Sequence, residues 1–330
     1  MDKVLTVSVA AYNLENLIEQ NLHSFEKCKN IDLLEVIVTD DGSTDHTAEI
    51  VSKYVQKYPG TFKLIKQKNS GAGSTVNSGI RHATGKYFKM IDGDDWVESE
   101  NLDKLLENLY KIDTDIIITN YEVYDETISK VIEYKNFRGK LQEGKIIDFS
   151  KACNDVQFAM HQVTYRTSIL KNNNIVLDNG FYTDVEYLLL PVQYLKTLIY
   201  YDLNIYVYRV GRNGQSVSLE SLQKHIDMHD LVFKRLLNEY ERIKNNLSNE
   251  KRNFILKRLT DMAYYQLRTL MSFEMTDNNI QTIKDFVNYI KNNSPEINER
   301  FSQIKKVKLL LKSNYHLIGF VSKQFRKEIN

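Results

Sequence analysis

The sequence predicts an α/β fold, an open sheet flanked by helices, with a helical appendage at its C-terminal end. Three observations predict it. Over the first 120 residues short apolar runs alternate with amphipathic stretches at βαβ intervals. Three of those runs end in polar residues, Tyr12-Asn13, Asp40-Asp41 and Asp92 to Asp95. Beyond Ser218 glycine nearly vanishes and apolar residues recur at helical spacing.

Residues 4–11 (Val-Leu-Thr-Val-Ser-Val-Ala-Ala) are β-rich and stop at Tyr12-Asn13, the pattern of a buried first strand. Leu14, Leu17, Ile18, Leu22 and Phe25 then fall at helical spacing. Residues 33–39 form a second apolar run, and Asp40-Asp41-Gly42-Ser43-Thr44-Asp45 supplies turn formers and a capping side chain before a helix over 47–58. A third strand is expected over 62–67, a loop entering a helix over 71–83, and a fourth strand over 87–91. A helix over 102–110 and a fifth strand over 115–119 follow. Alternation between Glu122 and Tyr134 reads as a hairpin, residues 158–170 as a strand-to-helix passage, 188–195 as an apolar helix and 199–210 as a further strand. Leu222, Ile226, Phe233, Leu236, Tyr240 and Ile243 then make a helical stripe, followed by helices over 254–271 and 280–290. The domain boundary is placed near Ser218, giving domains 1–218 and 219–330, and no long-period repeat recurs.

The chain has 330 residues, 42% of them hydrophobic and 26% charged, which is an ordinary globular composition. A net charge of +1 offers no global attraction to nucleic acid or membrane. Cys28 and Cys153 lack metal spacing, which fits a reducing compartment. The N-terminal residues show no leader pattern, and no apolar run reaches the roughly 18 to 20 residues of a membrane span. The expected location is cytoplasmic.

In open α/β sheets ligands bind beyond the carboxyl ends of the strands, so three polar sites converge on one edge. Asp92, Asp94 and Asp95 occupy three of four consecutive positions. Like charges that close repel, so the cluster makes sense with a divalent cation that also holds a diphosphate. Asp40-Asp41 forms a turn and helix cap, and a second carboxylate there can accept the N3 hydrogen of a pyrimidine. Gly71-Ala72-Gly73-Ser74-Thr75 fails as a dinucleotide fingerprint, because Val76 stands where a third glycine belongs, and reads as a flexible loop near the donor. Spacing alone leaves Asp184 and Glu186 equal candidates for a general base. His225 and His229, four apart on a helix, share a face that either packs at an interface or completes a metal site. Near the C-terminus Ile304, Val307, Leu311, Tyr315, Ile318, Val321 and Phe325 form an apolar stripe among lysines. That stripe either packs on the body or lies on an anionic membrane.

Val7-Ser8-Val9-Ala10-Ala11-Tyr12-Asn13, Asp40-Asp41-Gly42-Ser43-Thr44-Asp45, Asn77 with Gly79, and Asp92-Gly93-Asp94-Asp95 follow in the order and spacing of family 2 glycosyltransferases. The chain resembles that family strongly over its first 110 residues or so and more weakly to about residue 218. The resemblance implies the GT-A fold and an inverting transferase using a nucleotide sugar, usually a UDP-sugar, with Mn²⁺ or Mg²⁺. It implies a nucleotide-binding part over 1–120 and an acceptor-side part over 121–218. Asp41 matches the residue that reads the base, while Ala10, Tyr12, Asn13 and Asn77 fall on the donor side. Asp92 and Asp94 match the DxD motif, Asp94 as metal ligand and Asp92 toward ribose or metal. Asp184 matches the base, which breaks the tie with Glu186, and Gln215 and Ser216 lie in a loop that closes over the donor. Where many members carry an arginine before the asparagine, this chain has Val76, so the diphosphate contact falls to Arg81, Lys89, Arg209 or Arg212. The implied acceptor is a bacterial surface glycan or a lipid-linked oligosaccharide at the inner face of the cell membrane. Two rival classes are a nucleotide-sugar pyrophosphorylase, which needs an early glycine-rich loop that Tyr12 to Asn21 lacks, and a non-catalytic glycan-binding or partner-recruiting protein on the same scaffold.

Overall fold

The computed structural model describes residues 2–153, 156–180, 182–212 and 218–329. The chain divides into two compact units, Met1–Arg212 and Asn213–Asn330.

The first unit is built on a single mixed sheet. Its strands are β1 (Leu5–Ala11), β2 (Leu34–Asp40), β3 (Phe62–Lys66), β4 (Tyr87–Asp92), β5 (Trp96–Val97), β6 (Ile116–Asp125), β7 (Lys130–Lys135), β8 (Ile147–Asp148), β9 (Val163–Arg166) and β10 (Thr197–Val210). Their order is β3-β2-β1-β4-β9-β6-β10-β5, with β7 on β6 and β8 on β10. β1, β2, β3 and β4 pair in parallel, whereas β9 runs antiparallel between β4 and β6. The central strands are buried along nearly their whole length because both their faces are covered: Leu5, Val7, Val9, Val36, Val38 and Ile91 are fully buried, as are the polar Thr6, Thr39 and Lys89.

Register fixes the functional edge. Ala11 pairs with Asp40 and Ala10 with Asp92, so the polar ends of β1, β2 and β4 lie level. β10 runs parallel to β6, and near its end Tyr206 and Val207 pair antiparallel with Val97 and Trp96. Its last residues are thereby carried back beneath the acidic turn that follows β4.

Helices over Ile18–Glu26, Thr47–Lys57, Ala72–His82 and Ser99–Lys111 connect the early strands. The stretch from Gly71 is therefore no flexible loop; the helix starts at Ala72. The expected helix over 188–195 begins earlier, at Thr183, and ends at Leu189 before a 3₁₀ turn.

The second unit is wholly helical among its described residues, with helices over Leu219–Lys224, Ile226–Ile243, Asn249–Leu270, Asp277–Asn293, Pro295–Gln303, Lys305–Lys312 and Ile318–Ile329. Ser218, Ser248 and Thr276 cap three of them, each hydroxyl accepting the N–H three residues on. Phe233, Leu237, Leu259, Ala263, Ile283, Ile290 and Phe301 make its core. Of the C-terminal apolar stripe, expected either to pack on the body or to lie on a membrane, Val307, Val321 and Phe325 are fully buried and Ile318 nearly so, while Ile304, Leu311 and Tyr315 are part-buried. Exposed instead are Leu317 and Phe320, with Lys312, Lys323 and Lys327 among the exposed residues around them. No helix among the described residues is long and apolar enough to cross a membrane.

Candidate functional site

The loops after β1 and β2 are laced together. Asn13, at φ 51°, donates its N–H to Ser43 Oγ (2.9 Å) and accepts the Thr44 N–H at Oδ1 (2.8 Å). Tyr12 beside it is half exposed. Asp41 is buried, and its carboxylate is well supplied: Oδ1 accepts Gln67 Nε2 (2.7 Å) and the Ser70 N–H (2.9 Å), and Oδ2 accepts the Gly71 N–H (2.9 Å). Its own N–H donates to the Ala11 carbonyl.

The turn after β4 is the opposite case. Asp95 is 1% exposed; its Oδ1 accepts the Arg209 N–H (2.8 Å) and its Oδ2 the Tyr206 hydroxyl (2.5 Å). The same hydroxyl lies 3.3 Å from Asp92 Oδ2, and its single hydrogen serves the nearer partner. Asp92 is left short of donors. Burial, then the charge of Asp94 and that of Asp184, push its carboxyl up to about 7, with Tyr206 pulling the other way. Burial, then Asp94 and Asp92, also hold Asp95 well above the usual carboxylate range. A group that keeps a proton near neutrality for want of positive charge is a group that a divalent cation suits.

Arg209 stitches the turn from below. Its Nε donates to the Asp94 carbonyl (2.8 Å), Nη1 to Glu126 (2.8 Å) and Nη2 to Gln20 (2.5 Å), and the guanidinium lies 4.7 Å from the Trp96 ring centroid. Arg212 pairs with the Asp94 carboxylate. Of the four cations raised for the diphosphate, Lys89 is fully buried and donates to the His161 (2.7 Å) and Val163 (3.4 Å) carbonyls, and Arg81 is exposed in the last turn of its helix. Arg209 reaches Asp94 at its backbone carbonyl, and Arg212 pairs with its carboxylate. Val76 is an apolar core residue, 2% exposed.

Asp184 is exposed in the first turn of the helix Thr183–Leu189, close enough for its charge to raise Asp92. Glu186 is fully buried and accepts the Asp178 N–H (2.6 Å). Asn77 spends both halves of its amide on Leu177, donating to its carbonyl (2.8 Å) and accepting its N–H (2.9 Å). Gln215 and Ser216 lie outside the described residues.

Asp92, Asp95 and His161 offer ligand atoms within 4.8 Å of one another. His161 is ringed by Tyr206 (4.5 Å), Tyr121 and Tyr208 (both 4.8 Å); burial, then Lys89, push it down to about 3, so it is neutral. Tyr206 already spans the two carboxylates of that group; of the acids in the turn, Asp92 and Asp94 are part-exposed and Asp95 is buried. His225 and His229 are engaged within the helical unit, with Ser221 O (2.8 Å) and Gln266 Oε1 (2.7 Å), and no metal-capable group among the described residues includes them. Tyr206 and Arg209 are the residues that motif reading missed as scaffold of the site. They sit in an ordinary tyrosine-rich strand, and only the pairing of β10 with β5 reveals them.

The profile of the Glycosyl transferase family 2 matches residues 6–173, which takes in β1, β2, β4 and β9 with every acidic turn described above. The chain belongs to that family. EpsH of Bacillus subtilis (strain 168) is 29% identical over 210 residues, 60% of this chain and 60% of EpsH. The match thus spans less than two thirds of that relative. Among solved structures, S. aureus TarS 1–349 in complex with UDP-GlcNAc superposes with a TM-score of 0.64 at 19% identity, covering 97% of this chain and 92% of that one. The mannosyltransferase PcManGT from Pyrobaculum calidifontis, in complex with GDP-Man and Mn²⁺, gives 0.53 at 15% identity over 98% and 85%. At such identities these structures establish the fold, which is GT-A.

Proposed function

We propose that this family 2 glycosyltransferase transfers a sugar, a hexose or N-acetylhexosamine, from a UDP-sugar to a hydroxyl of a bacterial surface glycan or lipid-linked oligosaccharide. It does so with inversion and with Mn²⁺ or Mg²⁺. The observation that carries the reading is the surroundings of Asp92: at the level edge of β1, β2 and β4 its carboxyl feels the charges of both Asp94, two residues on, and Asp184, from the start of the helix Thr183–Leu189. Asp92 and Asp94 suit a cation and Asp184, exposed on a helix start, suits a proton acceptor. The UDP-GlcNAc and Mn²⁺ in the structurally similar proteins support the donor class and the metal.

In this reading the nucleoside lies along Ala10, Tyr12 and Asn13, with Asp41 toward the base. Asp94 and Asp92 would hold the metal, which would supply positive charge against the departing diphosphate. Arg212 leaves Asp94 for the diphosphate and adds a second positive charge. Asp184 takes the proton from the acceptor hydroxyl as that oxygen attacks the anomeric carbon from the face opposite the leaving group. The part over 121–218, which supplies Asp184, serves the acceptor.

In an assay with purified protein, Asp184→Asn should lower transfer by about 10² to 10⁴ while UDP still raises the melting temperature; near-normal transfer would refute the base assignment. A melting-temperature screen of UDP-, GDP-, CDP- and dTDP-sugars with and without Mn²⁺ tests the donor, and stabilisation by a GDP-sugar alone would overturn the UDP reading. Peripheral membrane contact rests on the exposed Leu317 and Phe320 beside lysines. Leu317→Ser with Phe320→Ser should weaken sedimentation with phosphatidylglycerol vesicles, and unchanged sedimentation removes membrane contact from the proposal.

A further inference from the structure

The segment Leu177–Asn179 is gripped from two sides. On one side Asn77, from the helix Ala72–His82, bonds both backbone groups of Leu177, a residue 100 positions away (2.8 and 2.9 Å). On the other, Glu186 accepts the Asp178 N–H at 2.6 Å. Glu186 is 0% exposed, and a carboxylate is put so far from water only where its hydrogen bonding compensates. The same segment also lies hard against the start of the donor-side helix. A Cβ on Gly71 would stand 1.8 Å from the Asn179 carbonyl oxygen, and one on Gly73 1.6 Å from that of Asp178. Only glycine permits that approach.

The contacts link two ends of the site. Asp41 takes the N–H groups of Ser70 and Gly71; Gly71 and Gly73 abut Asn179 and Asp178; Asp178 is bonded to Glu186; and Glu186 sits two residues after Asp184 on one seven-residue helix. A helix that short has no stable orientation of its own, so its placement is set by what it is tied to. Tyr187, next along, anchors the same helix to β4 through the Phe88 carbonyl (3.4 Å).

We propose that Asn77 and Glu186 are positioning residues that clamp Leu177–Asn179 and thereby hold Asp184 in register with the nucleotide loop. Asn77 accordingly contributes to the rate of transfer and not to donor binding. The inference rests on the reading of Asp184 as general base.

The test uses the full chain, with UDP and Mn²⁺ as the binding probe, and compares wild type with Asn77→Ala, Asn77→Asp, Glu186→Ala, Glu186→Gln and Asp184→Asn. Asn77→Ala and Glu186→Ala should lower kcat by about 10²-fold, the scale of a roughly 1 Å misplacement, with the Kd for UDP changed less than about threefold, since no contact to the nucleotide is lost. Glu186→Gln, which keeps an acceptor for the Asp178 N–H, should recover most of the rate, whereas Asn77→Asp, which keeps the acceptor for the Leu177 N–H but turns a carboxylate oxygen toward the Leu177 carbonyl, should recover only part of it. Hydrogen exchange over residues 177–189 should quicken in the two alanine variants. If kcat and UDP affinity fall together, Asn77 is a donor ligand and the proposal is overturned; unchanged exchange over 177–189 overturns it as well. If the alanine variants fail to fold, Asn77→Asp and Glu186→Gln still decide, because faster exchange without any change in kcat contradicts the clamp. Failure of the underlying reading looks different: Asp184→Asn stays active while the exchange result stands.

Discussion

Asp40-Asp41 and Asp92 to Asp95 end the two strands that flank β1, and both turns are acidic with a buried carboxylate, yet among the described residues the first is better supplied with hydrogen-bond donors than the second. The Asp41 carboxylate meets two backbone N–H groups and the Gln67 amide, while Asp40 takes the Ser43 N–H. Asp92, Asp94 and Asp95 have mainly one another, one tyrosine hydroxyl, one backbone N–H and a single ion pair with Arg212. Burial does not separate the two turns, since Asp41 is 4% exposed and Asp95 1%. What separates them, among the described residues, is the supply of hydrogen-bond donors.

The largest expected effect breaks the comparison directly. Asp94→Ala should abolish Mn²⁺-dependent stabilisation and lower transfer by about 10² to 10³, the scale of losing a charge-stabilising group. Asp41→Ala should do less to the chemistry and more to the fold and the nucleotide: it orphans the Ser70 and Gly71 N–H groups, at about 1 to 3 kcal/mol. The melting temperature should fall, and UDP should bind about 10- to 100-fold more weakly by calorimetry. If Asp94→Ala instead lowers the melting temperature while Mn²⁺ still binds, the two turns have the same structural role and the contrast is lost.

The half of this contrast that lies in the strands was legible from sequence. Central parallel strands are buried on both faces, so β1, β2 and β4 announce themselves as short runs dominated by apolar and β-forming residues, and the acids fall where those runs stop. The donor supply was not legible, because it comes from residues far along the chain: Gln67 to Gly71 for Asp41, and Tyr206 and Arg209 for Asp95. β5 and β8, two residues each, carry too little periodicity to be seen. Asn77 fits a donor-side motif, but its amide is turned to Leu177. The C-terminal stripe shows the same limit. Periodicity reveals an apolar face without saying what covers it, and here the unit's own helices bury Val307, Val321 and Phe325.

A middle-sized effect concerns the buried cation behind the acidic turn. Lys89 is fully buried, and burial pulls its ammonium from an ordinary 10.5 down to about 7. Between those values the unfolded chain holds a proton that the folded one has released, so raising the pH favours folding. Wild type should therefore gain stability relative to Lys89→Met as pH rises from 7 to 9, by at most about 1.4 kcal/mol per pH unit. Urea unfolding at a series of pH values measures the gap. A gap that does not change with pH would mean Lys89 stays charged inside the fold, balanced by the acids of the turn.

The smallest effect tests whether Arg212 is a placeholder for the missing charge. The Arg212 and Asp94 side chains are 26% and 31% exposed, so their ion pair in water-screened surroundings is worth no more than about 1 kcal/mol. Arg212→Ala removes a competitor for Asp94, and Mn²⁺ alone should bind about two- to fivefold more tightly, a change that follows from the same 1 kcal/mol. UDP together with Mn²⁺ should bind more weakly, because the diphosphate loses a cation that wild type supplies. Titrations of the same two proteins with Mn²⁺, and with Mn²⁺ plus UDP, give both signs. Opposite signs fit an arginine that trades a carboxylate for a phosphate as the site fills, whereas a parallel loss in both titrations makes the Arg212–Asp94 pair part of the frame that builds the turn.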